Sequence, residues 1–127
     1  MGRWTRIIGI VALAAAGCSR SPAEPLRSHG HTAAEWAEVL RGPDVKARRR
    51  AVTALANLGA ADPAVVPALA SALKDADAEV RASAATALFN IGPGAKDAIP
   101  ALETARIDRD AKVRDHAAKA LDRVNPR

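Results

Sequence analysis

The sequence predicts an all-α protein, a short right-handed α-solenoid of three antiparallel helical hairpins. The first observation behind this prediction is an internal repeat, because residues 44–59 recur in related form 33 positions later at 77–92 and again at 110–124. The second is that each copy carries apolar residues spaced four, four and three apart, which is one face of an α-helix. The third is composition, since a chain that is 49% hydrophobic but only 2% aromatic must pack largely through alanine. One hairpin cannot bury such a stripe alone, so a helical period of this length indicates repeats that stack into a continuous core.

The recurring segment is predicted to form the inner helix of each hairpin. Asp44, Asp77 and Asp110 precede the three copies, where a carboxylate accepts hydrogen bonds from free backbone amides and opposes the helix dipole. Gly59 and Gly92 follow the first two copies and are the residues expected to end a helix. The predicted core face consists of Ala47, Ala51, Leu55 and Leu58, then Val80, Ala84, Leu88 and Ile91, then Val113, Ala117, Leu121 and Val124.

Each inner helix is predicted to follow an outer helix. Thr32 and Glu35 have the spacing of a capping box at the start of the first outer helix. Pro67 and Pro100 lie near the starts of the other two, where a missing N–H costs little. The apolar residues of the outer helices are Trp36 and Leu40, then Val66, Leu69 and Leu73, then Ile99 and Leu102, with Arg106 in place of the last leucine.

The first 17 residues have the composition of an export signal. Arg3 and Arg6 give a basic start without an acid, ten apolar residues follow at 7–16, and Gly17 comes directly before Cys18. These are the parts of a secretory signal peptide. Ten helical residues span ~15 Å, about half of a bilayer core of ~30 Å, so a membrane-spanning helix is disfavoured.

Cys18 is the only cysteine, which excludes a disulfide within one chain. The stretch that ends in Cys18 resembles a bacterial lipoprotein signal, and this resemblance implies that Cys18 becomes the lipidated first residue of the mature chain. The expected location is then the bacterial cell envelope, as an exported, membrane-anchored lipoprotein on the periplasmic side or the outer surface. An ordinary secretory signal and an uncleaved anchor are the alternatives.

A polar linker is predicted between the signal and the repeats. Residues 19–31 are rich in Pro, Ser and charge and lack an apolar period. A tether from Cys18 to His31 reaches ~50 Å when fully extended. His29 and His31 in a flexible segment are an incomplete ligand set, so no metal site is expected. The predicted organisation is a signal peptide at 1–17, a flexible tether at 18–31, a repeat domain at 32–124 with repeats at about 32–59, 60–92 and 93–124, and a tail at 125–127.

Two repeats share a more specific pattern. A proline is followed eight residues later by an aspartate, and five residues after that by a Val-Arg pair. The first repeat keeps only Arg48 of this pattern, which is typical of a terminal repeat that caps a stack. The pattern residues are Pro67, Asp75, Val80 and Arg81 in the second repeat and Pro100, Asp108, Val113 and Arg114 in the third.

This pattern resembles the HEAT repeat, and the short period with "DAEVR" is most similar to the bacterial type named after phycobilisome lyases. The resemblance covers about residues 32–124 and implies an α-solenoid whose inner helices line the concave side. It also implies a ladder of charged side chains along the stack. The ladder residues would be Arg48, Asp75, Arg81, Asp108 and Arg114.

The charge of the chain does not indicate a nucleic-acid partner. The formal net charge is +5, and it falls to +3 without residues 1–17, which hold two of the 19 basic residues and no acid. A small excess of this kind is weak evidence for nucleic-acid binding. The basic run at 46–50 is interpreted as a solvated helix face, with contact to an acidic lipid or protein as the alternative.

No catalytic constellation is visible in the sequence. Ser71 and Ser83 have no evident histidine partner, His116 is expected to be a partly exposed surface residue, and phosphate-binding glycine motifs are absent. We therefore expect a protein without cofactor or metal that is not an enzyme. The predicted function is a protein–protein interaction or scaffold module with an unknown protein partner. Because bilin lyases share the repeat type, an accessory subunit of a lyase-like enzyme is the alternative.

The inner-helix face turned away from the core is the predicted binding surface. Phe89, the only phenylalanine, lies off the core stripe and is expected to form a small apolar patch with Ala56 and Ala82. At one position of successive repeats, the residues run from a cation through alanine to an acid, which would orient a bound segment. The candidate partner-binding residues are Arg49, Thr53, Ala82, Thr86, Phe89, Asp115 and Lys119.

Overall fold

The computed structural model describes residues 24–127. The predicted signal peptide and its lipidation site at Cys18 lie outside the described residues. Within the described chain, a short β-hairpin precedes six α-helices. The strands are Arg27–Ser28 (β1) and His31–Thr32 (β2), and the helices are Ala33–Val39 (α1), Val45–Leu58 (α2), Val65–Ala72 (α3), Ala78–Ile91 (α4), Ile99–Ala105 (α5) and Ala111–Val124 (α6).

The helices form three hairpins that stack side by side. Helix α1 pairs with α2, α3 with α4, and α5 with α6, while α4 packs on both α2 and α6. Leu55 and Leu88, at equivalent positions of α2 and α4, are completely buried, and Leu121 of α6 is 9% exposed. The predicted all-α solenoid is therefore confirmed. Of the predicted core positions, some at the ends of the stack or of a helix are only partly buried, namely Trp36, Leu40, Ala47, Leu58, Ile91 and Ile99.

Each inner helix begins at an aspartate that bonds its free amides. The Asp44 carboxylate accepts from the Lys46 amide, and the Asp77 carboxylate accepts from the Val80 amide. Helices α2 and α4 end at glycines with positive φ angles, 64° at Gly59 and 69° at Gly92. A residue with a β-carbon is strained at such angles, so these glycines permit the sharp exit into the 3₁₀ segments Gly59–Ala61 and Gly92–Ala98.

A ladder of ion pairs connects successive repeats. Arg48 donates to both carboxylate oxygens of Asp75, from Nε at 2.9 Å and from Nη2 at 3.3 Å. Arg81 bonds Asp108 in the same way, at 2.9 and 3.1 Å. Arg114, at the equivalent position of the last repeat, is exposed and donates only to backbone carbonyls. Of the five residues that the family resemblance implied, four form the two ion pairs between repeats, and Arg114 donates to the Asp108 carbonyl.

The C-terminal end of the stack is more polar than the interfaces between repeats. Arg106 replaces the buried Leu73 of the preceding repeat, and it is exposed and paired with Glu103 at 3.3 Å. Asp115 likewise stands at the position of the buried Ala82. A polar outer face is what a terminal repeat needs to remain in water.

A β-hairpin covers the N-terminal end, where the sequence predicted only a tether. β1 pairs with β2 in antiparallel register, and His29 and Gly30 form the turn with φ angles of 50° and 83°. Positive φ at both central residues is the requirement of a type I′ turn, which suits the twist of two paired strands. The flexible tether predicted at 18–31 therefore needs correction, because its last five residues, 27–31, belong to the folded domain.

An aromatic side chain of α1 packs against the hairpin and forms a hydrogen bond with it. The Trp36 indole N–H donates to the Ser28 carbonyl at 2.9 Å, and the Trp36 ring meets the His31 ring edge-on at 5.0 Å between centroids. Thr32 and Glu35 close the predicted capping box at the start of α1. Trp36 therefore packs against the hairpin rather than lying wholly within the core.

Residues 24–127 contain neither a membrane-spanning helix nor a cluster of metal-binding side chains. None of the helices there has the length and hydrophobicity of a membrane span. In the same part of the chain, no three His, Cys, Asp or Glu side chains converge as a metal site would require.

Candidate partner-binding groove

The inner helices α2, α4 and α6 leave one face uncovered, and a shallow groove runs along it. We call the depression formed by these three helices the inner groove. Its central part has a volume of about 240 Å³ and is lined by all three helices, including Thr53 and Thr86. Two further depressions of about 220 and 320 Å³ continue it along the boundary between α4 and α6, past Phe89 and Lys119. Five of the predicted binding residues therefore line one continuous surface, namely Thr53, Ala82, Thr86, Phe89 and Lys119.

Phe89 is the exposed aromatic side chain of the inner groove. It is 39% exposed although it sits on α4, the inner helix that packs between the other two. The Arg123 guanidinium lies over its ring, 5.8 Å from the ring centroid, at a distance where a cation is attracted to an aromatic face. Thr86, His116 and Lys119 complete the depression beside it. A half-exposed ring next to cationic and hydroxyl groups is suited to hold an apolar side chain of a ligand.

Ala82 does not belong to an exposed apolar patch, which corrects the prediction. It is only 2% exposed, at the floor of the groove. The cause is the next repeat, because His116 of α6 reaches across and its Nδ1 lies 3.3 Å from the Ala82 carbonyl oxygen. The Thr86 hydroxyl covers the same carbonyl and donates to it at 3.1 Å.

The predicted binding residues Arg49 and Asp115 are not among those that line the groove, and the charges in and beside it are mostly paired with one another. Arg49 donates to both carboxylate oxygens of Asp77 at 3.2 and 3.3 Å, and Lys119 lies 2.8 Å from Asp115. The hydrogen bond from Lys119 lowers the pKa of Asp115 below its ordinary value. The predicted change of sign from Arg49 to Asp115 is present in the residues, but each of these charges is compensated by a neighbour. A third pair joins Lys112 to Glu79 at 2.9 Å.

His116, interpreted from the sequence as a partly exposed surface residue, is partly exposed and lines both the central depression and the depression beside Phe89. Its Nδ1 is 2.9 Å from the Thr86 hydroxyl oxygen. The tautomer of His116 decides which of the two side chains donates in this contact. The pair is a hydrogen-bonded support for the groove wall.

Asn57 and Asn90 are groove residues that the sequence analysis missed. They occupy equivalent positions of α2 and α4, both are exposed, and both line the central depression. The equivalent residue of α6 is Arg123. The signal was available in the alignment of the repeats, because "ALANLG" and "ALFNIG" place an asparagine two residues before the terminal glycine of each helix.

Comparison with known proteins identifies the family. A family model described as HEAT repeats matches residues 33–122. This match covers more than half of the chain, so the protein belongs to the HEAT-repeat family. A search of curated proteins found no match.

Two solved structures are similar in fold. The chain is similar to a chain of the complex of CpcE and CpcF of phycocyanin lyase from Nostoc sp. PCC7120, with 27% identity and a TM-score of 0.65. That match covers 85% of this chain and 42% of the lyase chain. An engineered protein is similar over 72% of this chain and 44% of its own, with 25% identity and a TM-score of 0.56. The protein therefore spans less than half the length of either chain.

Proposed function

We propose that this protein is a non-catalytic interaction or scaffold module, displayed at the bacterial cell envelope, that binds a partner protein across the inner groove. HEAT repeats present extended concave surfaces of this kind, made by the same position in successive repeats.

The exposure of Phe89 is the observation that carries the proposal. The neighbouring Leu88 on the same helix is completely buried, whereas Phe89 is 39% exposed on the groove. Aromatic side chains that are surrounded by polar groups and become buried on association are frequent anchors of protein interfaces. The ion pair between Lys112 and Glu79, both of which line the groove, adds polar surface around the ring, as the rim of a protein interface requires.

The cell-envelope location rests on the sequence of the first 18 residues. If Cys18 is the lipidated first residue, residues 18–26 connect the lipid to the folded hairpin. Nine residues reach at most ~30 Å, so the first repeat would stay close to the bilayer surface. The hairpin at Arg27–Thr32 thus makes the tether shorter than the sequence alone suggested.

An accessory subunit of a lyase-like enzyme is the second candidate. The similarity to a chain of the CpcE–CpcF complex of phycocyanin lyase favours it, at 27% identity. The two candidate functions differ in which molecules should co-purify with the protein. A pigment that co-purifies, or a lyase activity that depends on this chain, would favour the accessory subunit.

Site-specific photocrosslinking in the bacterial envelope tests the proposed function. A photoreactive amino acid at Ser83 reports on the groove, and one at Lys74 reports on the outer surface. We expect a discrete crosslinked partner from Ser83, lost when Phe89→Ala is added. Ile107→Ala is the matched control, because Ile107 is an 82% exposed apolar residue outside the groove. Equal crosslinking from Lys74, or a Ser83 crosslink that survives Phe89→Ala, would contradict the proposal.

A further inference from the structure

We propose that the inner groove takes an extended peptide segment in a polyproline-II-like conformation, with one acidic side chain placed over the third repeat. This inference rests on the proposed function, since it names the kind of partner segment that the same groove binds.

Two free carboxamides mark where the backbone of such a segment lies. Asn57 and Asn90 are exposed at equivalent positions of α2 and α4 and line the same depression. Within residues 24–127, neither carboxamide has a hydrogen-bonding partner in the protein. A carboxamide offers both a donor and an acceptor, so it matches the C=O and N–H groups of a peptide backbone irrespective of side chain. The neighbouring hydroxyl of Thr86, by contrast, is already used by the Ala82 carbonyl.

The spacing of the helices favours a polyproline-II backbone over a β-strand for the bound segment. Packed helices lie about 8–10 Å apart. A polyproline-II segment rises ~3.1 Å per residue with three residues per turn, so it repeats about every 9 Å. A β-strand places equivalent groups about every 7 Å, which is shorter than the distance between neighbouring helices. The polyproline-II backbone also has no internal hydrogen bonds, which leaves its polar groups free for the two amides.

The third repeat changes the chemistry at the same positions. Arg123 takes the place of the asparagines, and it forms no ion pair within the described part of the chain. Lys119 takes the place of the threonines and is held by Asp115 in a pair whose side chains are 65% and 58% exposed. Such exposed pairs are weak and exchange readily. Cations at this end match a carboxylate on the ligand, and the planar guanidinium of Arg123 can bind both of its oxygens.

Neighbouring residues refine the ligand further. Phe89 lines the same depression as Arg123, whose guanidinium lies 5.8 Å from the ring centroid, so an apolar side chain next to the acidic residue would pack on the ring. Asp122 lines the same end and disfavours a run of acidic residues.

Peptide display tests this inference without a known partner. The probe is a library of random peptides of about nine residues, which is three polyproline-II turns, selected on the purified full chain in detergent. We expect enrichment of peptides with a single acidic residue next to an apolar one. For a synthetic enriched peptide, fluorescence anisotropy should show roughly tenfold weaker binding to Asn57→Ala and to Asn90→Ala, since each removes about two hydrogen bonds.

A charge reversal and a matched amide control make the test specific. On Arg123→Glu, the acidic peptides should bind at least about tenfold more weakly, and a new selection should enrich basic residues at the same place. Asn125→Ala should bind normally, because Asn125 lies at the end of the stack outside the groove. Circular dichroism and thermal melting of each variant separate lost binding from lost folding.

Three results would overturn the inference. These are a selection that enriches no peptide, enriched peptides that bind all three variants as they bind the natural protein, and a requirement for a free C-terminal carboxylate. If the Ser83 crosslink still depends on Phe89 in any of these cases, the groove binds a folded surface or another segment, and the proposed function stands without this inference.

Discussion

Arg81 and Asp108, which lie in successive repeats, are joined by two parallel hydrogen bonds of 2.9 and 3.1 Å. Their side chains are only 6% and 13% exposed. Arg81 also donates from Nη1 to the carbonyl of Asp75 at 2.7 Å, so one guanidinium connects the loop of its own hairpin to the loop of the next. The pair therefore fixes the relative position of two repeats.

Removing this guanidinium should destabilise the protein strongly. Arg81→Ala leaves a mostly buried carboxylate and a backbone carbonyl without partners, and breaking such a pair costs about 3–5 kcal/mol. Arg114→Ala is the matched control, because Arg114 is the equivalent residue but is exposed and bonds only carbonyls. Its loss should cost ~1 kcal/mol. Urea unfolding measures both, and equal costs would show that the ladder does not hold the repeats together.

The same pair predicts a loss of stability in acid. Burial acts to raise the pKa of Asp108, but the Asp110 amide and the Arg81 guanidinium outweigh it and hold the pKa below the ordinary 3.8. A lowered folded-state pKa means that the stabilisation is complete above the unfolded value and is lost as the pH falls through the folded one. The melting temperature of the natural protein should therefore drop below about pH 4, and Asp108→Asn should flatten this dependence. Asp97→Asn, an exposed aspartate outside the ladder, should leave it unchanged.

Leu88 should be among the most costly positions in the core. It is completely buried on α4, which packs on both neighbouring inner helices. Leu88→Ala should lower the free energy of unfolding by ~2–5 kcal/mol, whereas Ile107→Ala, at an 82% exposed residue, should change it by less than ~0.5 kcal/mol. A small effect of Leu88→Ala in thermal or urea unfolding would place the core face elsewhere.

The sequence was sufficient to predict the stack of helices because its apolar residues are spaced periodically. Leu55 and Leu88 are 33 residues apart, as are Val80 and Val113, and all four are completely buried. The hairpin at Arg27–Thr32 was missed because two-residue strands carry no periodic signal. Only the His29–Gly30 dipeptide hinted at it, and a histidine at positive φ is uncommon.

The groove was harder to predict because its details depend on contacts between repeats. Phe89 was identified from its place off the core stripe. The burial of Ala82 could not be foreseen, since it follows from a side chain 34 residues away, His116. The pairing of Arg49 with Asp77 is similar, because it joins residues 28 positions apart.

Lipidation of Cys18 predicts where the protein is found. Cys18→Ala should move the protein from a membrane fraction that needs detergent to a soluble fraction, because the acyl chains that hold it would be missing. Cys18→Ser is a more conservative control that should behave in the same way. Fractionation and mass spectrometry of the mature N-terminus measure the effect, and an unmodified N-terminus at another residue would contradict the lipoprotein prediction.

The measurement that tests the central claim most directly is the affinity of the crosslinked partner for groove and outer-surface variants. If Phe89 is a buried anchor, Phe89→Ala should weaken binding by ~2 kcal/mol or more, about a thirtyfold rise in Kd. Lys74→Ala, in the turn after α3, and Glu103→Ala, on α5, should leave Kd nearly unchanged. An affinity that survives Phe89→Ala but collapses in Lys74→Ala or Glu103→Ala would show that the partner binds the outer surface and not the inner groove.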